Sequence, residues 1–119
     1  MKAGIATAVA LAGALGCGNA TADGNQLLTN CRSAVDQIDK RGGDRFEAGV
    51  CLGYVSGTFQ TLINNDEKGR NLCTPPEGIT GWQLVRVVEL YLRNNPELLH
   101  LTDSVLIERA LRKAYPCTK

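Results

Sequence analysis

The chain has 119 residues, 44% of them hydrophobic and 21% charged, and thirteen Lys and Arg against twelve Asp and Glu give a formal net charge of +1. A chain of this length holds one domain with a modest core, and its near-neutrality excludes the basic footprint that nucleic acid or an anionic lipid surface would demand. No stretch after residue 23 is long and apolar enough to span a bilayer, and no repeat, low-complexity tract or charge block marks a linker or a second domain.

The first 22 residues read as an export signal. Met1-Lys2 supplies the positive start, residues 3–16 form an apolar run too short to cross a membrane, and Ala20-Thr21-Ala22 is the small-x-small pattern that a signal peptidase accepts. Cleavage would leave Asp23 as the first residue of a single domain, 23–119, and would take Lys2 away, making the mature chain neutral. A second reading stays open. Ala14-Leu15-Gly16-Cys17 resembles a lipobox, although leucine is usual where Ala14 stands and a small residue where Leu15 stands, and retention of an acylated Cys17 would anchor the chain rather than free it.

Helical periodicity then begins behind Gly24-Asn25, with Leu27, Leu28, Cys31, Ala34, Val35 and Ile38 on one face, and Arg41-Gly42-Gly43 ends it. Asp44 is a good N-cap for a second helix that places Val50, Cys51, Tyr54, Val55 and Leu62 on one face and stops at Asn64-Asn65-Asp66. Within it Gly49, Gly53 and Gly57 stand four apart, each costing up to about 1 kcal/mol relative to alanine. Such spacing predicts a groove against which another helix packs, within the subunit or across a dimer. Residues 67–78 are turn material containing Cys73-Thr74-Pro75-Pro76-Glu77-Gly78, and irregular segments on small scaffolds often carry recognition.

Thr80-Gly81-Trp82-Gln83 is a capping box opening a third helix, with Leu84, Val87, Val88, Tyr91 and Leu92 on its apolar face. Asn95-Pro96-Glu97 stops it and can open another turn, since proline suits a first helical position and asparagine caps well; residues 98–101 are expected to form that turn, and Thr102 or Asp103 caps a last helix. That helix carries Val105, Leu106, Leu111 and Ala114, with Arg109, Arg112 and Lys113 toward its C-terminal end, before Pro116 closes it. The expected fold is all-α, a small bundle of about four helices in two hairpins.

Subtracting Cys17 leaves Cys31, Cys51, Cys73 and Cys117, and an even count in a small exported chain reads as two disulfides. Four cysteines allow three pairings. An antiparallel hairpin turning near Gly42 brings Cys31 and Cys51 to one level, and a second hairpin brings Cys73 and Cys117 together at its open end, so those pairs are expected. In the chain-entropy model the two loops contribute roughly 3 and 4 kcal/mol.

The polar residues form no catalytic constellation. His100, the single histidine, lies between Leu99 and Leu101 with no nucleophile or orienting acid in evidence, so a capping or half-buried role is expected rather than general-base work. No histidine pair has metal-ligand spacing, and no zinc finger fits the cysteines; neither a metal nor another cofactor is expected. Asp36 with Asp39, and Asp66 with Glu67, read as solvated carboxylates. Ser56 in Gly53-Tyr54-Val55-Ser56-Gly57 lacks the glycine two positions before it that a nucleophile elbow needs. Trp82 beside a proline-rich loop reads either as a packed residue or as a recognition anchor. The protein is not expected to be an enzyme.

In order along the chain, Gly24-Asn25-Gln26-Leu27-Leu28 leading to Cys31, Cys51-Leu52-Gly53-Tyr54-Val55-Ser56-Gly57, Cys73, Gly78-Ile79-Thr80 with Gln83-Leu84-Val85-Arg86-Val87-Val88, Asn95-Pro96-Glu97 with Leu99-His100, and Pro116-Cys117 resemble the Rap/Tai group of immunity proteins. The resemblance covers essentially the whole mature chain. It implies a small helical, disulfide-bearing periplasmic protein, generally a homodimer, that blocks a peptidoglycan amidase delivered by type VI secretion by occluding its cleft. The matching residues are mostly packing, capping and cysteine positions, so the contact surface must be read separately. The loop and the start of the third helix, with Asn71, Thr74, Glu77, Trp82 and Arg86, are the expected partner surface. The alternative of another class is a general envelope chaperone or assembly factor, which would suppress aggregation of unrelated clients.

Overall fold

The computed structural model describes residues 22–66 and 72–117. Residues 1–21 of the expected leader, with the lipobox-like segment, and Glu67 and Asn71 lie outside the described residues. Four helices, α1 (Gly24–Ile38), α2 (Arg45–Asn64), α3 (Gly81–Asn94) and α4 (Asp103–Ala114), are joined by turns, with a 3-10 turn at Pro96–Leu98 between the last two. Among the described residues there is no strand beyond an isolated bridge between Asp23 and Thr102, so the all-α expectation holds.

Local chemistry explains each boundary. The Asp23 carboxylate accepts from the amides of Asn25 and Gln26 at 3.0 and 3.2 Å and starts α1, and Asp44 does the same for α2 through the Glu47 amide at 2.9 Å. Between them, Gly43 has φ +85, and a Cβ there would sit 2.5 Å from the Ser33 carbonyl oxygen, so the turn needs glycine on two grounds. The Gln37 side-chain amide closes that turn by donating to the carbonyls of Gly42 and Gly43, each at 2.8 Å. Thr80 and Gln83 form the expected capping box of α3.

The junction between α3 and α4 differs in detail from the expectation. The turn opens at Pro96, as proline at a first helical position allows, but its 3-10 part is Pro96–Leu98 rather than 98–101. Leu101 then donates to the Leu98 carbonyl at 3.0 Å and completes the approach to α4. Thr102 occupies the N-cap without a side-chain bond, and the buried Asp103 instead accepts from the Tyr54 hydroxyl at 2.8 Å and the Ser104 amide at 2.8 Å.

The core lies where α1, α2 and α3 meet α4. Leu27, Cys31 and Ala34 face Cys51 and Val55, with Leu84, Val88 and Leu92 of α3 and Leu106, Ile107 and Leu111 of α4 completing it. The two expected disulfides form, Cys31 with Cys51 at a Cα separation of 5.1 Å and Cys73 with Cys117 at 4.9 Å. The first staples α1 to α2 inside the core. The second ties the segment ahead of α3 to the chain end after α4, where Cys73 also donates its amide to the Tyr115 carbonyl at 3.0 Å.

One sequence-based face is corrected. Val50 and Tyr54 do not share the buried side of α2 with Cys51 and Val55; they are 37% and 41% exposed. This helix is apolar on more than one side, and the stripe through Ala48, Cys51 and Val55, flanked by half-buried Leu52, Phe59 and Leu62, is the one the bundle covers. A neighbouring stripe one position back is left outside.

Candidate functional site

Two surfaces carry features that the interior does not require. The first is at the end of the bundle where α1 stops and α3 starts. Arg86, one turn into α3, donates from its guanidinium to the Asp39 carboxylate just past α1. Arg41 reaches the same carboxylate at 3.5 Å and that of Asp36 at 3.1 Å, so α3 and the α1–α2 turn are joined by a chain of charges. The hydrogen bond from Arg86 holds the Asp39 carboxyl below the ordinary carboxylate range, against the opposing effect of burial, with the positive charges of Arg86 and Arg41 adding to the lowering. All these groups are substantially exposed, so the cluster orients side chains more than it adds stability.

Beside it, Trp82 is 43% exposed and borders a shallow hollow of about 360 Å³ with Gln37 and Ile38. Of the expected partner residues, Trp82 and Arg86 therefore stand on one side of the α3 start. Glu77 is exposed and Thr74 half-buried in the preceding loop, where Gly78 donates to the Pro75 carbonyl at 3.0 Å. Sequence reading missed the addition of Asp39, Gln37 and Ile38 to this surface. Asp39 was visible only as a solvated acid, since its partner is 47 residues away.

The second surface is the outward side of α2 with the start of α4. Phe46 is 80% exposed, and Val50, Tyr54 and, from α4, Val105 join it. Among the described residues a Cβ added at Gly49, Gly53 or Gly57 would meet nothing within 4 Å, so the packing of the described helices does not require these glycines. Gly53 and Gly57 floor an open groove of about 550 Å³ that continues past Thr58, Thr61 and Leu62 to Ser104 and Glu108. The hydrogen bond to Asp103 pushes the Tyr54 hydroxyl above its ordinary pKa, with burial and the negative charge of Asp103 acting in the same direction. The stripe from Phe46 through Gly49, Val50, Gly53, Gly57, Gln60 and Thr61 carries no charge.

The remaining polar residues are dispersed. His100 is exposed in the α3–α4 junction, outside both surfaces, and Ser56 lies within the unbroken α2 against Gly81. No group of three or more His, Cys, Asp or Glu among the described residues could hold a metal ion, and no helix among them is long and apolar enough to cross a membrane.

Fold and surfaces together define a small, doubly disulfide-stapled helical domain whose distinctive features face outward. The model of the family described as Rap1a immunity proteins matches residues 23–117, and the chain belongs to that family. No curated protein and no solved structure matches the chain.

Proposed function

We propose that this is a periplasmic immunity protein that binds a peptidoglycan amidase delivered by type VI secretion and blocks it by occluding its active site. The observation that carries this reading is the family match from Asp23 to Cys117, which starts where cleavage of the expected leader would leave the mature N-terminus. The protein acts by binding rather than by catalysis, and it needs no cofactor.

The toxin contacts Asn71, Thr74 and Glu77 of the loop with Trp82 and Arg86 of α3, the last held in place by Asp39. Tryptophan and arginine are the residues that most often dominate an interface, and here an ion pair limits the conformations of one of them. Isothermal titration with peptidoglycan amidases delivered by type VI secretion tests the reading directly. Arg86→Glu and Trp82→Ala are each expected to weaken binding at least about tenfold. Full affinity in variants across the whole surface would remove the site, and no affinity for the amidase in the unaltered protein would remove the function. N-terminal sequencing of the exported protein should begin at Asp23, whereas an acylated Cys17 would put the protein in the membrane fraction with added mass.

The open face of α2 accepts a second copy of the chain. In an antiparallel crossing centred on Gly53, Phe46 of one copy falls opposite Gln60 of the other, beside the hollow bordered by Thr61 and Leu62. Gly49 then faces Gly57, and the uncharged stripe pairs with itself without burying a lone charge. Sedimentation analysis should report a dimer, and Gly53→Arg should give a helical monomer.

A further inference from the structure

The two disulfides have different surroundings. Cys31 and Cys51 are fully buried between α1 and α2, whereas Cys73 is exposed and Cys117 half-buried. The exposed bond ties the loop ahead of α3 to the end of the chain, and its removal would leave the helix-to-helix staple untouched. Thiol–disulfide exchange requires a thiolate to reach one sulfur, so access sets its rate; for the buried bond the bundle must open first.

We propose that Cys73–Cys117 is a reducible latch on the partner-binding loop, opened by a dithiol reductant, and that Cys31–Cys51 is a permanent staple. A thiolate of the reductant attacks the exposed Cys73 end, forms a mixed disulfide and expels the Cys117 thiolate, which takes a proton. The second thiol of the reductant then closes onto the first, releasing the Cys73 thiolate. Two electrons pass to the protein, and the reductant leaves as its own disulfide. Once open, residues 73–79 remain held by buried Leu72 on one side and the Thr80–Gln83 capping box on the other, but lose the covalent part of their tether to the segment after α4, leaving non-covalent contacts such as the hydrogen bond from the Cys73 amide to the Tyr115 carbonyl. The helices stay assembled while the loop that carries Thr74 and Glu77 loses its fixed shape.

The consequence for binding rests on the proposed amidase surface; the reduction itself does not. The folded protein is exposed to dithiothreitol, quenched at intervals with iodoacetamide and mapped by mass spectrometry, with circular dichroism and amidase titration on the same samples. Cys73 and Cys117 should be alkylated together, on the order of a hundredfold faster than Cys31 and Cys51. Helicity should persist while amidase affinity falls at least about tenfold, and a Cys73→Ser, Cys117→Ser double variant should reproduce the reduced form without reductant. Alkylation of all four cysteines at one rate would overturn the latch. Selective reduction with unchanged affinity would overturn its control of binding. Failure of the oxidised protein to bind any amidase would refute the functional reading yet leave the alkylation pattern as a test of the latch.

Discussion

Glycine inside a helix means different things at the start of α1 and along the outer side of α2. At Gly24 a Cβ would come within 2.5 Å of the Leu106 side chain and 2.7 Å of the Leu99 backbone, so the close approach of α1 to the α3–α4 junction depends on the missing side chain. At Gly49, Gly53 and Gly57 the same atom would enter open space. The first glycine is explained by the chain's own packing. The other three are explained by no contact among the described residues, although each weakens the helix, and that is the physical ground for proposing that their face meets another molecule.

The sharpest test of the contrast is Gly24→Ala. The flexible Leu106 side chain can move, but the Leu99 backbone cannot move without disturbing the hydrogen bond from the Gly24 amide to the Leu101 carbonyl at 3.0 Å. A loss of about 2–4 kcal/mol is expected, which for a domain of this size lowers Tm by roughly 10–25 °C in calorimetry. A fall of only a degree or two would mean that the junction relaxes and that the two classes of glycine are not distinct.

Tyr54 lies between the classes, since it faces the open groove and yet bonds the buried Asp103. Tyr54→Phe leaves that carboxylate with the Ser104 amide and one acceptor site less satisfied, at a cost of about 1 kcal/mol after allowing for the exposure of the phenol. The pH dependence has a definite sign. Because the folded-state pKa of Tyr54 is raised, its contribution is complete below the ordinary value of 10.0 and is lost as pH rises through the raised value. Denaturant titrations of the two proteins should therefore converge on the alkaline side.

Gly53→Ala should move stability the other way. With no neighbour to displace, the methyl group strengthens α2 by up to about 1 kcal/mol in the monomer while filling the groove floor that a second copy would occupy. Thermal denaturation at low concentration should show the gain and sedimentation the weakened dimer. A monomer that is destabilised by this change would remove the distinction between Gly24 and the α2 stripe.

Most of the scaffold was legible because its causes are local. Asp44 and Thr80 announce helix starts within three residues, Gly42-Gly43 announces the turn, and the hairpin so defined is enough to pair Cys31 with Cys51. What could not be read was which apolar side of α2 the bundle would cover. That depends on how α1, α3 and α4 share the perimeter of a helix apolar on several sides, so Val50 and Tyr54 were placed inward beside Cys51 and Val55. The same limit hid what Gln37, Ile38 and Asp39 add beside Trp82. That surface draws on α1 and α3, and no spacing within either helix reveals that Asp39 will meet Arg86.

The smallest effect on stability belongs to that pair, and it separates orientation from contact. Asp39 and Arg86 are exposed, so Asp39→Asn should leave Tm unchanged within error near neutral pH. The carboxyl's folded-state pKa is lowered from 3.8, so what stability it gives is present above that value and disappears as pH falls through the lowered one. Wild type and Asp39→Asn should then coincide in acid. Binding should differ where stability does not. If Asp39 only positions Arg86 for the toxin, Asp39→Asn weakens affinity less than Arg86→Ala does, and combining the two adds nothing to the Arg86 loss. If the toxin instead touches Asp39 itself, the double variant loses more than Arg86→Ala alone, and the ion pair becomes part of the interface rather than its support.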